Sequence, residues 1–168
     1  SLGRLDRICS KLRYKQELWE ESIPSFILSA MAKSMSPNSP QYAENFLKGM
    51  IQKHKQLPRQ NQSPNPIHYT SVLNSYAKRG MASEAEQLLQ YIQSEHKAGN
   101  LQEGPGSAAY NCVINAVAQS NDPDAPQKAG AFVEYMEKGH AEIQPNAVTY
   151  GSELKCYAKR GQSIKAEQ

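Results

Sequence analysis

Cysteine and histidine are too few and too scattered in this chain of 168 residues to build a metal centre. The three cysteines, Cys9, Cys112 and Cys156, lie far apart, and no two histidines share an H-x-x-x-H spacing. Scattered thiols are typical of a reducing compartment, and we interpret Cys112 and Cys156 as small residues that pack between helices. The sequence also lacks glycine-rich phosphate loops, nucleophile elbows and recurrent carboxylate pairs. We therefore expect no metal, no cofactor, no catalytic residue and no enzymatic activity in this segment.

Long apolar runs and a strong excess of one charge are absent too. No apolar stretch approaches the roughly 18 residues of a membrane-spanning helix, so we expect no membrane partner. The chain has 39% apolar and 21% charged residues and a net charge of +3, whereas a nonspecific nucleic-acid binder is usually more basic. Because it has neither an initiator methionine nor a targeting segment, we expect it to be an excerpt of a longer protein.

What the sequence does contain is an internal repeat. It reads YTSVLNSYAKRGMASEAEQ from Tyr69 and YGSELKCYAKRGQSIKAEQ from Tyr150, with eleven of nineteen positions identical at an offset of 81. A third copy, YNCVINAVAQS, begins at Tyr110, which sets the period at about 40 residues. A diverged copy, PSFILSAMAKS, begins at Pro24. Self-similarity at a fixed period indicates tandem copies of one supersecondary unit.

Each copy contains two helical patterns joined by a turn. Apolar residues recur at i, i+3, i+4 and i+7 in the first pattern, as at Tyr69, Val72, Leu73 and Tyr76. The second pattern has the same spacing in three copies: Ala43, Phe46, Leu47, Met50; Ala85, Leu88, Leu89, Ile92; and Ala129, Phe132, Val133, Met136. The joining segments KSMSPNSP, KRGMAS and QSNDPDAP are rich in turn-forming residues. No stretch shows the sustained alternation of a strand.

These patterns predict an all-α protein, an α-solenoid of tandem helix–turn–helix hairpins. We expect a diverged repeat at 21–65, repeats at 66–106 and 107–146, and a truncated repeat at 147–168. An N-terminal helix over 1–20, with Leu5, Ile8 and Leu12 on one stripe, would cap the first repeat or end an earlier one. One hairpin alone cannot bury its apolar face, so all copies should form a single solenoid.

The copies resemble the pentatricopeptide repeat family of RNA-binding proteins. The family's opening of Pro–Asn, an apolar residue, Thr and Tyr matches QPNAVTYGSELKCYAKRG and SPNPIHYTSVLNSYAKRG closely, and GPGSAAYNCVINAVAQS more loosely. The second helices, such as SEAEQLLQYIQSEHKAG, are also similar to the family's pattern. The resemblance implies a right-handed superhelix, although these repeats are longer than usual through their turns and tails. Tetratricopeptide repeats are the nearest competitor, but the single tryptophan, Trp19, lies outside the repeats.

The resemblance implies that each hairpin reads one base of single-stranded RNA through two side chains. One reader follows the helix-opening Tyr and the other ends the same repeat. The pairs are Ser25 with Asn65, Thr70 with Gly106, and Asn111 with Asn146, while Gly151 stands in the truncated copy. By the family's code, Asn111 with Asn146 favours a pyrimidine and Ser25 with Asn65 favours adenine. The Thr70 pair is outside the common code, and Gly151 has no side chain to read with.

Two further sets of residues are implied by the same resemblance. The residues that would sandwich bases are Ile67, Ala108 and Val148, and those that would contact phosphate are Lys33, Lys78 and Lys159. The third copy has Gln119 in place of the lysine. Simpler roles stay open for several of these residues, because Asn before a helix is a good N-cap and Lys at a helix end complements the dipole.

We therefore predict sequence-selective binding of single-stranded RNA, in organellar RNA processing, stability, editing or translation. Other proteins of an RNA-processing complex would be further partners, and the location would be a mitochondrion or a chloroplast. The alternative is a helical-repeat scaffold that binds a protein or peptide in its concave groove. Gly106 and Gly151 favour this alternative, because neither can read a base.

Overall fold

The computed structural model describes residues 16–34, 38–57, 63–138, 143–159 and 161. These residues form seven α-helices: α1 (Gln16–Lys33), α2 (Ser39–Gln56), α3 (Pro66–Ala77), α4 (Ala82–Lys97), α5 (Ser107–Gln119), α6 (Ala125–Glu137) and α7 (Ala147–Lys159). No strand occurs within those ranges. The predicted all-α hairpin repeat is confirmed, with α1–α2, α3–α4 and α5–α6 as the hairpins and α7 opening the next.

The first helix of the first hairpin, α1, covers Gln16–Lys33 of the described residues and runs through Pro24 in its interior. Of the expected N-terminal helix over 1–20, only the last five residues are described, and they belong to α1. Leu5, Ile8 and Cys9 lie outside the described residues, as do Leu12 and the end of the truncated repeat.

The helices stand in two rows. The first helices of the hairpins, α1, α3, α5 and α7, pack side by side and are called the inner row. The second helices, α2, α4 and α6, form the outer row, and each packs against the two nearest helices of the inner row. Within the described part of the chain, the backbones of α2, α4 and α6 do not approach one another. A stack that is tight on one side and open on the other curves toward the tight side, so the inner row lines the concave face.

The apolar stripes predicted from the sequence form one continuous core. Tyr69, Leu73, Tyr76 and Tyr110 are almost completely buried, and the alanines that open the outer helices are buried beside them. Tyr69 and Tyr110, with which the second and third copies begin, are therefore core residues. Tyr150 is an exception, with 42% of its surface exposed, because it lies on the last described helix.

The two cysteines of the described residues pack as expected. Cys156 is completely buried and Cys112 is half-buried, and both are free thiols. Burial raises the pKa of the Cys112 thiol to about 11, which keeps it protonated and unreactive at neutral pH. These thiols therefore fill space between helices.

The turn YAKRG holds neighbouring inner helices together at their C-terminal ends. Arg79 donates one hydrogen bond to the carbonyl oxygen of Ser75 at 3.0 Å and one to that of Ser34, just beyond α1, at 2.6 Å. Gly80 adopts the left-handed conformation with φ of 65°. A Cβ atom there would lie 2.9 Å from the carbonyl carbon of Gln119. The turn therefore needs glycine for its backbone angle and for the close approach of α5.

Gly80→Ala is expected to lower the free energy of unfolding by about 2 kcal/mol or more, because left-handed strain adds to a backbone clash. Gly99→Ala is the matched control, since φ there is 76° but nothing lies within 4 Å of the added Cβ. The control should lose only about 1 kcal/mol. Urea unfolding measures both values, and equal losses would show that the contact with α5 contributes nothing.

Candidate nucleic-acid interface

Exposed apolar side chains recur at the first turn of three inner helices. Ile67 on α3 is 62% exposed, Val148 on α7 is 61% exposed, and Ala108 on α5 is also exposed. These are the residues that the resemblance assigns to sandwiching bases. Because they occupy the same position in successive hairpins, they form a row along one edge of the inner face. Nothing within the described structure covers Ile67 or Val148, so both are available to a ligand.

Asparagine begins two of these helices. The side-chain oxygen of Asn65 accepts hydrogen bonds from the backbone N–H groups of Ile67 at 3.1 Å and His68 at 3.2 Å. In return, Nδ1 of His68 accepts from the backbone N–H of Asn65 at 3.0 Å, which completes a capping box. The capping role that the sequence left open for Asn65 is therefore confirmed.

Asn146 plays the same part at the start of α7. Its side-chain oxygen accepts from the backbone N–H groups of Val148 at 2.9 Å and Thr149 at 3.2 Å. The Thr149 hydroxyl oxygen accepts from the backbone N–H of Asn146 at 3.0 Å. Since Oδ1 must face these N–H groups, the amide NH₂ of Asn146 is directed away from the helix.

The structure brings together the two members of the third predicted pair. The Thr149 hydroxyl donates to the side-chain oxygen of Asn111 at 2.6 Å, and the Asn111 amide nitrogen donates to the Asn146 side-chain oxygen at 3.4 Å. These contacts join α5 to α7, because neighbouring inner helices place their first turns level with each other. The side-chain oxygens of both asparagines are thus occupied, and the pair presents amide N–H donors to solvent.

The first pair is linked through an intermediary. Ser25 Oγ lies 2.9 Å from Nε2 of His68, and the same ring accepts from the backbone N–H of Asn65. His68 and Thr149 therefore do the same work at equivalent positions, each joining a predicted reader to the next helix start. Sequence reasoning missed both residues. The signal was a polar residue at a position that is buried in the second, third and fourth copies, where His68 is 3%, Ala109 1% and Thr149 0% exposed.

The remaining predicted readers are not brought into pairs. The Thr70 hydroxyl donates to the carbonyl oxygen of Pro66 in its own helix. Gly106 is the N-cap of α5 and has no side chain to offer Thr70. Gly151 is exposed, with no heavy atom within 4 Å of an added Cβ. Two of the four copies therefore lack a side-chain pair at this edge.

The three predicted phosphate-contacting lysines differ in their surroundings. Lys33 and Lys78 are exposed, and their ammonium groups form no hydrogen bond or ion pair with the residues that the structure describes. The ammonium of Lys159 donates to the carbonyl oxygens of Gln119 at 2.8 Å and Ser120 at 3.0 Å. It thereby complements the C-terminal end of the neighbouring helix α5, whereas the helix-dipole role that the sequence left open concerned the lysine's own helix.

The described ranges contain neither a metal-binding cluster nor a membrane-spanning helix. No group of three His, Cys, Asp or Glu side chains there is arranged to hold a metal ion. None of the helices described is long and apolar enough to cross a membrane.

Comparison with known proteins agrees with this geometry. Residues 67–96 match the family model of the PPR repeat, which here spans α3 and almost all of α4. The hairpin α3–α4 is therefore similar to a pentatricopeptide repeat. A pentatricopeptide repeat-containing protein of Arabidopsis thaliana is 25% identical over 105 residues, which is 62% of this chain and 17% of that relative. The chain therefore spans a small part of the length of the curated relative that it matches.

Acidification is expected to weaken the contact between the first two hairpins. Because Nδ1 of His68 accepts a hydrogen bond, the folded ring is neutral and its proton lies on Nε2, facing Ser25. Burial lowers the pKa of His68 below its ordinary value of 6.5. With the folded pKa below the unfolded one, the stabilisation is complete above pH 6.5 and is lost as pH falls through the folded pKa.

The measurement is the free energy of unfolding in urea above and below the ordinary pKa of histidine, for the native chain and for His68→Gln. The native chain should lose more stability on acidification than the variant, which keeps a polar side chain but does not titrate. Parallel losses in both proteins would show that His68 protonation does not loosen this contact.

Proposed function

We propose that this protein binds single-stranded RNA along its inner row and selects a base where a reading pair is in contact. The observation that carries the proposal is the contact between Asn111 and Asn146, on the exposed edge beside Val148. Two asparagines from successive hairpins meet there, and capping accounts for only one of them. Asn111 caps no helix. Besides joining α5 to α7 through Thr149, it would supply the second reading group of the pair.

The hydrogen-bond groups of the pair fit a pyrimidine. The side-chain oxygens of Asn111 and Asn146 are already occupied by Thr149 and by backbone N–H groups. The pair therefore offers N–H donors, and uracil and cytosine both carry the O2 carbonyl as an acceptor on the edge used for pairing. The first pair, with the short hydroxyl of Ser25 in place of an amide, presents different groups and would select adenine, as the family's code implies.

The exposed apolar row supports the same arrangement. Packed helices lie about 8–10 Å apart, which is more than the thickness of a base, so bases bound to successive hairpins cannot stack directly. A side chain between them fills the gap and removes the base faces from water. Ile67, Ala108 and Val148 occur once per hairpin at this edge, as such spacers would.

Lys33 and Lys78 supply the positive charge in this proposal. Lys78 lies eight residues after Thr70, which is about 12 Å along the helix axis. The flexible Lys78 side chain, together with the sugar that joins base to phosphate, would span this distance. Lys159 is tied to the end of α5 and Gln119 is neutral, so phosphate contact would be strongest at the first two hairpins. Family resemblance extends the proposal to organellar RNA processing, stability, editing or translation, alongside other proteins in a mitochondrion or chloroplast.

A peptide-binding scaffold is the second candidate. The middle of the inner row lacks a reading pair, because Thr70 bonds to its own helix and Gly106 has no side chain. The exposed Ile67 beside them would equally suit an apolar side chain of a peptide. Absence of RNA binding at low salt, with recovery of a peptide or protein ligand on this face, would favour the scaffold.

Asn111→Ser is expected to change base preference at a single position from pyrimidine to adenine. The variant copies the side chains of the first pair, Ser25 with Asn65, into the third. Binding is measured at low salt to a set of single-stranded RNAs that differ only at one nucleotide, and the change should be worth about 1–3 kcal/mol there. The control is Asn74→Ser on the same row, at an exposed position with no predicted reading role. Equal preferences in all three proteins would reject base reading by Asn111.

Lys78→Ala is expected to weaken binding to every RNA sequence alike. Loss of one phosphate contact should make the plot of log affinity against log salt concentration shallower by about 0.7. Lys97→Ala removes the same charge from the exposed last turn of α4 in the outer row and should leave the slope unchanged. An equal effect of the two substitutions would mean that net charge, and not the inner row, governs binding.

A further inference from the structure

A cavity of about 260 Å³ lies between the outer helices α4 and α6, on the side away from the proposed RNA-binding face. Glu86, Gln90 and Gln93 line it from α4, and Phe132 and Tyr135 line it from α6, with Tyr110 of α5 at its base. The rings of Tyr110 and Tyr135 are stacked, with their centroids 5.6 Å apart. The cavity thus combines one carboxylate with three aromatic rings.

One oxygen of the Glu86 carboxylate is buried without a hydrogen-bond partner among the described residues. Its Oε1 atom is shielded from solvent and makes no hydrogen bond with any described residue. Shielding a charged oxygen without a partner is unfavourable, and native proteins do it rarely. Lys128 is near enough to interact electrostatically with Glu86, but its ammonium is bound to Asp122 at 2.7 Å.

The preceding hairpin shows what fills the equivalent place. When the outer helices are aligned on Ala43 and Ala85, Glu44 is the counterpart of Glu86. Its carboxylate forms an ion pair with the ammonium of Lys48 at 2.6 Å and accepts a hydrogen bond from the hydroxyl of Tyr76. The Lys48 ammonium also lies 5.4 Å from the centre of the Tyr91 ring on α4. Between α2 and α4, a partly exposed lysine ammonium therefore contacts both a carboxylate and an aromatic ring.

Between α4 and α6, both residues that bind the carboxylate in the preceding hairpin, Lys48 and Tyr76, are replaced. Gln90 stands at the position of Lys48, and Val117 stands at the position of Tyr76. The other half of the arrangement remains, since Glu86 corresponds to Glu44 and Tyr135 corresponds to Tyr91. The groups that bind an ammonium are thus retained and a cavity lies beside them. No lysine stands at the position of Lys48, and the ammonium of Lys128 is bound to Asp122.

We propose that this cavity binds an alkylammonium group from another molecule, with a lysine side chain of a partner polypeptide as the occupant. Aromatic faces attract an ammonium through their negative quadrupole, and the Glu86 carboxylate neutralises its charge. A lysine suits the cavity because a lysine occupies the equivalent place one hairpin earlier. A small rotation of the Glu86 side chain would bring Oε1 to the incoming cation. The site is independent of the proposed RNA binding, which uses the opposite row of helices.

Restoring the missing lysine within the chain tests whether the cavity accepts an ammonium. Gln90→Lys is expected to raise Tm by about 2–4 °C, as a partly desolvated cation–aromatic contact and an ion pair would in a protein of this size. Gln90→Met has similar length but no charge and should give little of this gain, and Glu86→Gln combined with Gln90→Lys should abolish it. Equal values of Tm for Gln90→Lys and Gln90→Met would overturn the proposal.

Binding is tested with N-acetyl-lysine methylamide, whose only cation is the side-chain ammonium. In the 168-residue chain it should cause saturable shifts of the amide NMR signals of Glu86, Gln90 and Tyr135. Those shifts should disappear in Glu86→Gln, and in Gln90→Lys, where the cavity is already filled. The norleucine analogue, which lacks the ammonium, should cause none.

Putrescine distinguishes the two possible sources of the ammonium group, a lysine side chain and a free polyamine. Shifts with putrescine but not with the lysine probe would support an ammonium site and identify a free polyamine as its occupant. No shift with either cation, or equal shifts with the norleucine analogue, would contradict an ammonium site in this cavity.

Discussion

The packing of each first helix against the first helix of the next hairpin is the interaction on which the whole structure depends. A single hairpin exposes one apolar face that it cannot cover, and the inner row covers it with the large buried residues Tyr69, Tyr76 and Tyr110. Because the same residue types recur at the same positions, each contact repeats the previous one. The turn at Gly80 lets α5 come within backbone contact, which keeps the row tight and leaves the outer helices spread apart.

That regular packing places the start of every inner helix at one edge and explains why structural and recognition roles coincide there. Asn65 and Asn146 cap their helices through their side-chain oxygens, yet this bond also orients the amide NH₂ toward solvent. Capping therefore prepares the group that a base would meet. His68 and Thr149 then tie each cap to a residue of the preceding hairpin, so that one hydrogen-bond cluster stabilises the stack and positions the proposed readers.

The copies differ most at the positions where packing constrains the side chain least. Some inner-row positions in the core keep residues of similar size, such as Leu73 and Ile114. The edge positions vary more, among Ser25, Thr70, Asn111 and Gly151. The outer grooves vary in the same way, since Lys48 and Tyr76 complete one groove and Gln90 and Val117 leave the next open. Divergence between copies of one hairpin is thus a guide to function, because substitutions there do not cost the shared core.

The sequence by itself determined the hairpins, their order and the core stripes, because helical spacing and turn residues are local signals that each copy repeats. The resemblance of the copies to pentatricopeptide repeats also implied the Asn111–Asn146 pair, whose two side chains the structure brings into contact. Only the tertiary structure decided that Lys159 binds the end of α5, that His68 links Ser25 to the next helix, and that Glu86 faces an open cavity. The reason is physical. Such contacts depend on the distance and rotation between neighbouring hairpins, which buried side chains set jointly and no segment of the sequence encodes alone.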